Sequence, residues 1–322
     1  MGDLDQLAIS RLLGSTFQPC ARPGFGRFST VPTVGEMLAS RPRKPVGLAA
    51  DPTRDAKIVE AFEKTHDGYA IDRVFSDPEL CLRFIEVAHR LGVDASYTAI
   101  CRRLMGIRKS GKFKVVTTKK DKRDPRPFLI PAELAFAQLT YRHDASYDDM
   151  LLDPAVGAEF DALAKKIGRI GSAVDYRLAA LHLRKNVRSR RGDERSLVEK
   201  LDLSELNLRW HPLGPLSKVT LNDIPTTEGL FSLSEPNRYL YLTTHPNLRS
   251  GVKVFQDPDV LSAVGNQFWS PSPDNISLQV VRQEDLKSRV TGSTLSGQLR
   301  LLELKSLDVY QPIFNMIPKA AA

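Results

Sequence analysis

The sequence predicts an α+β protein in which a mainly helical N-terminal and middle region is followed by a small α/β domain. Apolar residues recur at helical spacing from about residue 54 to residue 185. Past residue 206 the pattern changes to β-branched and aromatic clusters separated by Pro, Asn and Ser turns, which is typical of strands. The chain has 322 residues, of which 42% are hydrophobic. This composition allows about two domains and excludes disorder throughout.

Residues 1–54 are interpreted as a weakly structured arm, because six prolines and several glycines interrupt any periodic pattern there. The three cysteines of the chain are an odd number without Cys-x-x-Cys spacing, which argues against a disulfide framework or a zinc module. No segment approaches the roughly 18 to 20 consecutive apolar residues of a membrane helix. We therefore expect a cytoplasmic protein that does not insert into a membrane.

The helical region is expected over residues 55–195, with a helix-turn-helix unit at about 78–111. Ser-Asp-Pro at residues 76–78 supplies a capping residue followed by proline in the first turn. Gly92 follows the apolar stripe of the first helix, where a left-handed stop is needed. A short turn then leads into a second periodic segment at 97–107, and helices joined this tightly are typical of helix-turn-helix units.

A β-wing and three further helices are predicted after this unit. Residues 113–118 (Phe-Lys-Val-Val-Thr-Thr) have strand composition. Helical patterns then begin at residues 131, 154 and 174, the first two with proline in the first turn. The change to strand-like composition places a domain boundary between about residues 190 and 210.

The positive charge of the chain is concentrated in one segment. The whole chain has a formal net charge of +8, whereas residues 102–127 contain eleven cations and two aspartates, a local excess of +9. The rest of the chain is therefore about neutral, and the basicity forms a patch. The candidate nucleic-acid-binding residues of this patch are Arg102, Arg103, Arg108, Lys109, Lys112, Lys114, Lys119 and Lys120.

The patch begins on the second helix of the helix-turn-helix, the helix that enters the major groove in such motifs. A second basic cluster with Arg188, Arg190 and Arg191 follows the last predicted helix and is interpreted as a linker along the phosphate backbone. DNA is the expected partner, and RNA is an alternative that composition does not separate from it. A solvated charged surface without a ligand is the other alternative.

Short motifs within residues 224–318 resemble those of the GIY-YIG nuclease superfamily. Gly-Leu-Phe at 229–231 opens a strand, Tyr-Leu-Tyr-Leu at 239–242 forms the second strand of a hairpin, and Asn-Leu-Arg follows at 247–249. Further along, a Leu-Leu-Glu-Leu segment at 301–304 precedes Gln-Pro-Ile-Phe-Asn at 311–315. The order and spacing of these motifs are similar to the paired strands, the following helix and the closing helix and turn of that family.

The resemblance implies a small α/β domain that cleaves phosphodiester bonds with one divalent metal ion, Mg²⁺ or Mn²⁺. Glu303 matches the metal-binding glutamate, and Tyr241 matches the second motif tyrosine, which lies near the attacking water. The family also uses an arginine that steadies the phosphate as charge builds. A bound metal of this kind acts as a Lewis acid and a template.

Three positions depart from the family pattern. Phe231 stands in place of the first tyrosine, Thr243 in place of a glycine, and Gly251 in place of the arginine. Arg249 is a candidate to replace the missing arginine, and His245 is a candidate acid, base or metal ligand. The catalytic candidates are therefore Tyr241, Arg249 and His245. The bland alternatives are a packed strand aromatic for Tyr241, a solvent-exposed turn residue for His245 and a carboxylate that reaches the surface for Glu303.

Together these patterns predict a DNA-binding protein with an endonuclease-like C-terminal domain at 206–322 whose catalytic set is incomplete. The alternative is a non-catalytic DNA-binding regulator or scaffold that retains the nuclease fold.

Overall fold

The α+β class is confirmed by a computed structural model, which describes residues 48–187, 198, 209–236, 238–264, 272–285, 295–310 and 312–315. Most of the predicted N-terminal arm and the cluster with Arg188, Arg190 and Arg191 lie outside the described residues. Within the described parts, none of the helices combines the length and apolar character needed to cross a bilayer.

The α-helices of the described residues are α1 (Pro52–Thr65), α2 (Ile71–Ser76), α3 (Pro78–Arg90), α4 (Tyr97–Lys109), α5 (Leu129–His143), α6 (Tyr147–Leu152), α7 (Pro154–Gly168), α8 (Ala173–His182), α9 (Leu248–Lys253), α10 (Pro258–Val264) and α11 (Leu295–Tyr310). The strands are β1 (His211–Pro215), β2 (Gly229–Glu235), β3 (Arg238–His245) and β4 (Ser277–Arg282). Short 3₁₀ turns occur at 126–128, 221–223, 254–256 and 283–285, and a π turn extends α8 over 183–187.

The described residues divide into two compact units. The first, here called the helical unit, comprises residues 48–123 and 146–158. The second, here called the sheet unit, comprises residues 124–145 and the described residues from 159 onward. The division therefore falls within the region predicted as one helical domain, because α5 and α8 pack together with the elements of the sheet unit.

The helix pair at the predicted helix-turn-helix is confirmed as α3 and α4, which six residues connect. The Asp77 side chain accepts hydrogen bonds from the backbone N–H groups of Glu79 and Leu80, and Pro78 occupies the first turn of α3. Gly92 follows the helix with φ of 80°, a left-handed conformation that favours glycine. The local stop and start signals of the sequence thus determine this connection.

The predicted β-wing is wrong, because residues 110–125 contain no strand. The N–H groups of Thr118 and Lys119 both donate to a single carbonyl, that of Gly68, at 2.9 Å each. A ladder requires successive bonds to a neighbouring strand, and the structure offers this segment only one carbonyl. The segment is instead attached by single contacts, which include packing of the Phe113 ring on Phe62 at 5.4 Å between centroids.

Helix α4 is fixed within the helical unit by apolar packing and by ion pairs. Its buried side chains are Ile100, Cys101, Leu104 and Ile107. Cys101 lies with its sulfur 3.8 Å from that of Cys81 on α3, and both are free thiols.

The arginines of α4 each contact an aspartate of another helix. Arg103 binds both carboxylate oxygens of Asp55 on α1, with 2.6 Å from Nε to Oδ1. The hydrogen bond and charge of Arg103 lower the pKa of Asp55, against the opposing effect of partial burial. Sequence spacing does not indicate these partners, which lie 36 to 48 residues away along the chain.

The sheet is antiparallel, with strand order β1-β4-β2-β3. The predicted hairpin is confirmed as β2 and β3, whose register pairs Phe231 with Thr243 and Leu233 with Tyr241. A buried apolar cluster formed by the sheet, α11 and Trp210 contains Trp210, Leu230, Leu242, Val281, Leu299, Leu302 and Leu307. The strand order places β3 at one edge of the sheet. Two of the predicted catalytic residues, Tyr241 and His245, lie on this strand.

We expect Asp55→Asn to lower the free energy of unfolding of the helical unit by about 1 to 3 kcal/mol at neutral pH, because a charged bidentate contact is lost. The folded-state pKa of Asp55 is lowered, so its contribution is present above the ordinary aspartate pKa of about 4 and is lost as the pH falls through the folded-state value. The difference between wild type and variant should therefore shrink below about pH 4. Urea unfolding followed by far-UV circular dichroism at several pH values measures it.

The control is Glu60→Gln, which removes the exposed ion pair between Glu60 and Lys64. We expect it to change the unfolding midpoint little, because exposed pairs contribute little. An Asp55→Asn effect no larger than that of this control would contradict a stabilising role for the Arg103 pair.

Candidate functional site

Tyr241 lies in the middle of β3, with 1% of its surface exposed. Its hydroxyl donates a hydrogen bond of 2.7 Å to Oε2 of Glu133 on α5, a residue with 0% exposure. The rings of Phe231 and Phe255 pack around it, with centroids 6.1 and 5.0 Å from that of the tyrosine. The hydroxyl is therefore directed at a buried carboxylate and not at a surface where water and a phosphodiester meet.

Glu133 was missed by the sequence interpretation. It is the one charged residue in the run Leu-Ile-Pro-Ala-Glu-Leu-Ala-Phe-Ala at 129–137. A lone carboxylate in such an apolar helix needs a polar partner, and this was the available signal. That partner is Tyr241, which lies 108 positions away in the chain. Only the packing of α5 shows that the two residues meet.

Glu303 projects from α11 to the edge of β3 and is 1% exposed. One carboxylate oxygen accepts from the Thr243 hydroxyl at 2.8 Å and from the Thr244 N–H at 2.9 Å. The other oxygen accepts from the Thr244 hydroxyl at 2.9 Å. Thr243, which replaces the glycine of the family pattern, is thus part of the set of donors that satisfies this carboxylate.

Asn315 completes the edge of β3. Its side-chain carbonyl accepts from the Leu242 N–H at 2.9 Å, and its amide donates to the Leu242 carbonyl at 2.8 Å. The N–H of Phe314 donates to the Leu240 carbonyl at 2.8 Å. Glu303 and Asn315 therefore satisfy the backbone groups that an edge strand would otherwise present for pairing with another chain.

Gly251, at the position of the missing arginine, lies in α9 against the sheet. A Cβ atom at this position would lie 2.9 Å from Cγ of His245 and 2.9 Å from Cε1 of Phe231. Real Cβ atoms essentially never approach neighbours this closely. The close packing of α9 on the hairpin therefore requires glycine, and it leaves no room for an arginine side chain.

Arg249 does not extend into the space next to Gly251. Its Nε donates to the carbonyl of Ile224 at 3.1 Å, and a terminal nitrogen donates to that of Asn222 at 3.4 Å. Asn247 caps the start of α9 through a 3.0 Å bond from Ser250 N–H. The Asn-Leu-Arg motif thus attaches this helix to the preceding loop.

His245 is half-buried at the end of β3. Burial lowers the pKa of its imidazole, against the opposing effect of a backbone contact with Asn247. Nδ1 lies 2.5 Å from the Asn247 carbonyl oxygen and 3.1 Å from the Asn247 nitrogen. These contacts hold the imidazole against the turn between β3 and α9.

The residues at this site do not fit a catalytic Mg²⁺ or Mn²⁺ ion. Both oxygens of the Glu303 carboxylate already accept hydrogen bonds from threonine groups, so three of its roughly four acceptor positions are occupied. Across the described parts of the chain, no group of three His, Cys, Asp or Glu side chains is arranged to hold a metal. A hard divalent cation prefers several oxygen ligands around it.

The candidate nucleic-acid-binding residues of the helical unit fall into two groups. The α4 arginines lie in ion pairs: Arg102 with Asp149 at 2.9 Å, Arg103 with Asp55, and Arg108 with Asp72 at 2.9 Å. Residues 109–123, here called the basic segment, carry six lysines, Arg123 and one aspartate, Asp121. All six lysines are exposed, and none takes part in an ion pair among the described residues.

Beyond Lys109, the last residue of α4, the basic segment has no regular secondary structure but follows a defined path. Asp121 accepts from Nε of Arg73 at 2.6 Å, and Arg73 is itself bound to Asp77 at 2.8 Å. The ammonium group of Lys119 lies over the Tyr69 ring at 5.4 Å from the centroid. With the Gly68 and Phe113 contacts, these attachments hold the segment along the helical unit.

Comparisons of the chain with protein-family models, with curated proteins and with solved structures gave no match. The geometry therefore defines the class of protein no further than an α+β chain with a helical unit and a unit built on a four-stranded antiparallel sheet. A relationship to GIY-YIG nucleases stays a prediction from the short motifs alone.

We expect Glu303→Ala to lower the free energy of unfolding of the sheet unit by about 3 kcal/mol or more, because buried donors lose their acceptor and a cavity forms. Glu303→Gln should cost about 1 kcal/mol, since its carbonyl can still accept from Thr243 and from the Thr244 N–H. Denaturation followed by tryptophan fluorescence measures both, and Glu284→Gln at an exposed site is the control.

Mg²⁺ should leave the unfolding midpoint of the wild type and of every variant unchanged. A Mg²⁺-dependent increase that Glu303→Gln abolishes would show that Glu303 is a metal ligand.

We also expect Gly251→Ala to destabilise the sheet unit by about 1 to 3 kcal/mol, because the new methyl group overpacks the contact with Phe231 and His245. The control is Gly106→Ala, an exposed position of α4 where the nearest atom to the new Cβ is 4.0 Å away. That substitution should be neutral or stabilise by up to about 1 kcal/mol. Denaturant unfolding of both variants tests this, and equal midpoints would contradict the close approach of α9.

Proposed function

We propose that this protein binds DNA through the basic segment of its helical unit, and that its sheet unit is a non-catalytic scaffold. The observation that carries the proposal is the set of six exposed lysines on residues 109–123, which have no ion-pair partners among the described residues. Ordinary surface charge alternates in sign, whereas this segment holds one aspartate against seven cations. Such a single-sign stretch attracts a polyanion over distances of about a Debye length.

The attachments of the segment support the same function. A chain that is already held at Phe113, at Thr118 and Lys119, and at Asp121 loses less conformational freedom on binding than a free loop. Asp121 lies beside Arg73 and Arg123, so its charge does not neutralise the lysines. The lysines thus lie along a defined path without ion-pair partners among the described residues.

The sheet unit supports the non-catalytic alternative. Each residue that the motif resemblance places in catalysis has a structural contact: Tyr241 with Glu133, Glu303 with the two threonines, and Arg249 with backbone carbonyls. Removing one preorganised group from an active site commonly costs about 10² to 10³ in rate. Here the phosphate-steadying arginine is replaced by a glycine that has no space for a side chain.

A reducing, cytoplasmic compartment is part of this proposal. Cys81 and Cys101 are buried free thiols although their sulfurs lie only 3.8 Å apart. Such a pair is compatible with a compartment that keeps thiols reduced.

The first test compares Lys120→Gln/Lys122→Gln with Lys165→Gln/Lys166→Gln, a matched pair of exposed lysines on α7 that removes the same charge. Affinity for a fluorescent duplex is measured by anisotropy over a series of salt concentrations. We expect the basic-segment variant to bind roughly ten-fold or more weakly and to lose about two units of the log–log salt slope, since two phosphate contacts disappear. The α7 variant should bind as wild type does. Equal affinities of the two variants, or affinity independent of salt, would contradict the proposal.

The second test concerns the sheet unit. Supercoiled plasmid is incubated with the full chain in the presence of Mg²⁺ or Mn²⁺, and in their absence. We expect binding by the chain without nicking of the plasmid. Metal-dependent nicking that is lost in Glu303→Gln would contradict the scaffold role and show that the sheet unit is an active nuclease.

A further inference from the structure

The side chains of α4 determine how a bound duplex could be recognised. Sequence readout in the major groove uses bidentate contacts, chiefly Arg to guanine and Asn or Gln to adenine. Helix α4 has the sequence Tyr-Thr-Ala-Ile-Cys-Arg-Arg-Leu-Met-Gly-Ile-Arg-Lys and contains neither Asn nor Gln. Its bidentate donors are therefore Arg102, Arg103 and Arg108.

These three arginines hold α4 to three other helices. Arg103 donates through Nε and Nη2 to the two oxygens of the Asp55 carboxylate on α1, and these side chains are each 19% exposed. Arg102 is bound to Asp149 of α6, and Asp149 also accepts from the Ser146 hydroxyl at 2.6 Å. Arg108 is bound to Asp72 of α2. For Arg103, reading a base would require breaking its pair and leaving the mostly buried Asp55 without its partner. The arginines of the other two pairs are more exposed, Arg102 at 25% and Arg108 at 43%, and their engagement with aspartate competes with base contacts less strongly.

Apart from Arg123, which pairs with Asp121 at 3.9 Å, the cations of the basic segment are lysines. A lysine ammonium is a compact point charge on a flexible stem, suited to phosphate contacts and without the planar fork that matches a base edge. Phosphate contacts position a protein on a duplex but carry no sequence information.

From this distribution we infer that the chain recognises duplex DNA through its phosphate backbone, without discrimination between base sequences. The inference rests on the proposed function, and it departs from the recognition-helix role that the sequence predicts for α4. The arginines stabilise the helical unit, and the lysines of the basic segment bind the ligand. This assigns the two halves of the predicted DNA-binding patch to different tasks.

The test uses the full wild-type chain and fluorescent duplexes of equal length, one rich in G·C pairs, one rich in A·T pairs and one of mixed sequence. We expect dissociation constants that agree within about three-fold, whereas specific proteins prefer their site by about 10³-fold or more. Selection from a random duplex library should give no enriched motif. An RNA duplex of matched length is included as a separate arm.

The outcomes separate this inference from the proposed function. A preference above about 100-fold for one duplex, or an enriched motif, overturns the inference while DNA binding itself stands. Tighter binding of the RNA duplex than of every DNA duplex overturns the choice of DNA as the ligand. Absence of binding to every duplex at low salt overturns the proposed function, and the inference with it.

Arg103→Lys provides a second measurement, with circular dichroism as the check of folding. Lysine keeps the charge of residue 103 but loses the two-point contact with Asp55. We expect a lower unfolding midpoint and unchanged relative affinities for the three duplexes. A folded variant whose relative affinities for the duplexes change would show that Arg103 reads bases, and would overturn the inference.

Discussion

The sheet unit depends on how the outer edge of β3 is closed. An edge strand exposes unpaired N–H and C=O groups, and here no further strand covers them among the described residues. Asn315 binds both backbone groups of Leu242, and the Glu303 carboxylate binds Thr244. These contacts tie α11 and the segment at 312–315 to the hairpin. The buried apolar cluster between α11 and the sheet then has a fixed geometry.

In this structure, the motif residues that resemble those of a nuclease take part in closing the edge of β3. The glutamate and the asparagine occur at the spacing of the family, yet their polar atoms satisfy strand groups and threonine hydroxyls. Thr243, a departure from the family pattern, is one of the donors to Glu303. Gly251, another departure, allows α9 to approach Phe231 and His245. Thr243 and Gly251 thus each have a hydrogen-bonding or packing role in the structure.

The helical unit follows the same division between charges that stabilise and charges that are available. Guanidinium groups form planar, directional pairs with carboxylates, and the α4 arginines form such pairs with three other helices. The lysines of the basic segment are exposed to solvent, and all but Lys109 lie on a part of the chain without regular secondary structure. The net charge of +8 counts the α4 arginines and the lysines of the basic segment in the same way, although the two groups differ in what they can bind.

Much of the fold was predictable because its signals are local. The cap at Asp77, the stop at Gly92, the hairpin at 229–245 and the change of composition past residue 206 each depend on neighbouring residues, and they determine α3, α4, β2, β3 and the α+β class. The prediction of a β-wing was wrong because a segment with strand composition also needs a neighbouring strand with which to pair. The partners of Tyr241, Glu303 and Arg103 lie roughly 50 to 110 positions away. Only the tertiary structure decided them, since hydrogen bonds and ion pairs depend on distances in space that residue types and short spacings do not specify.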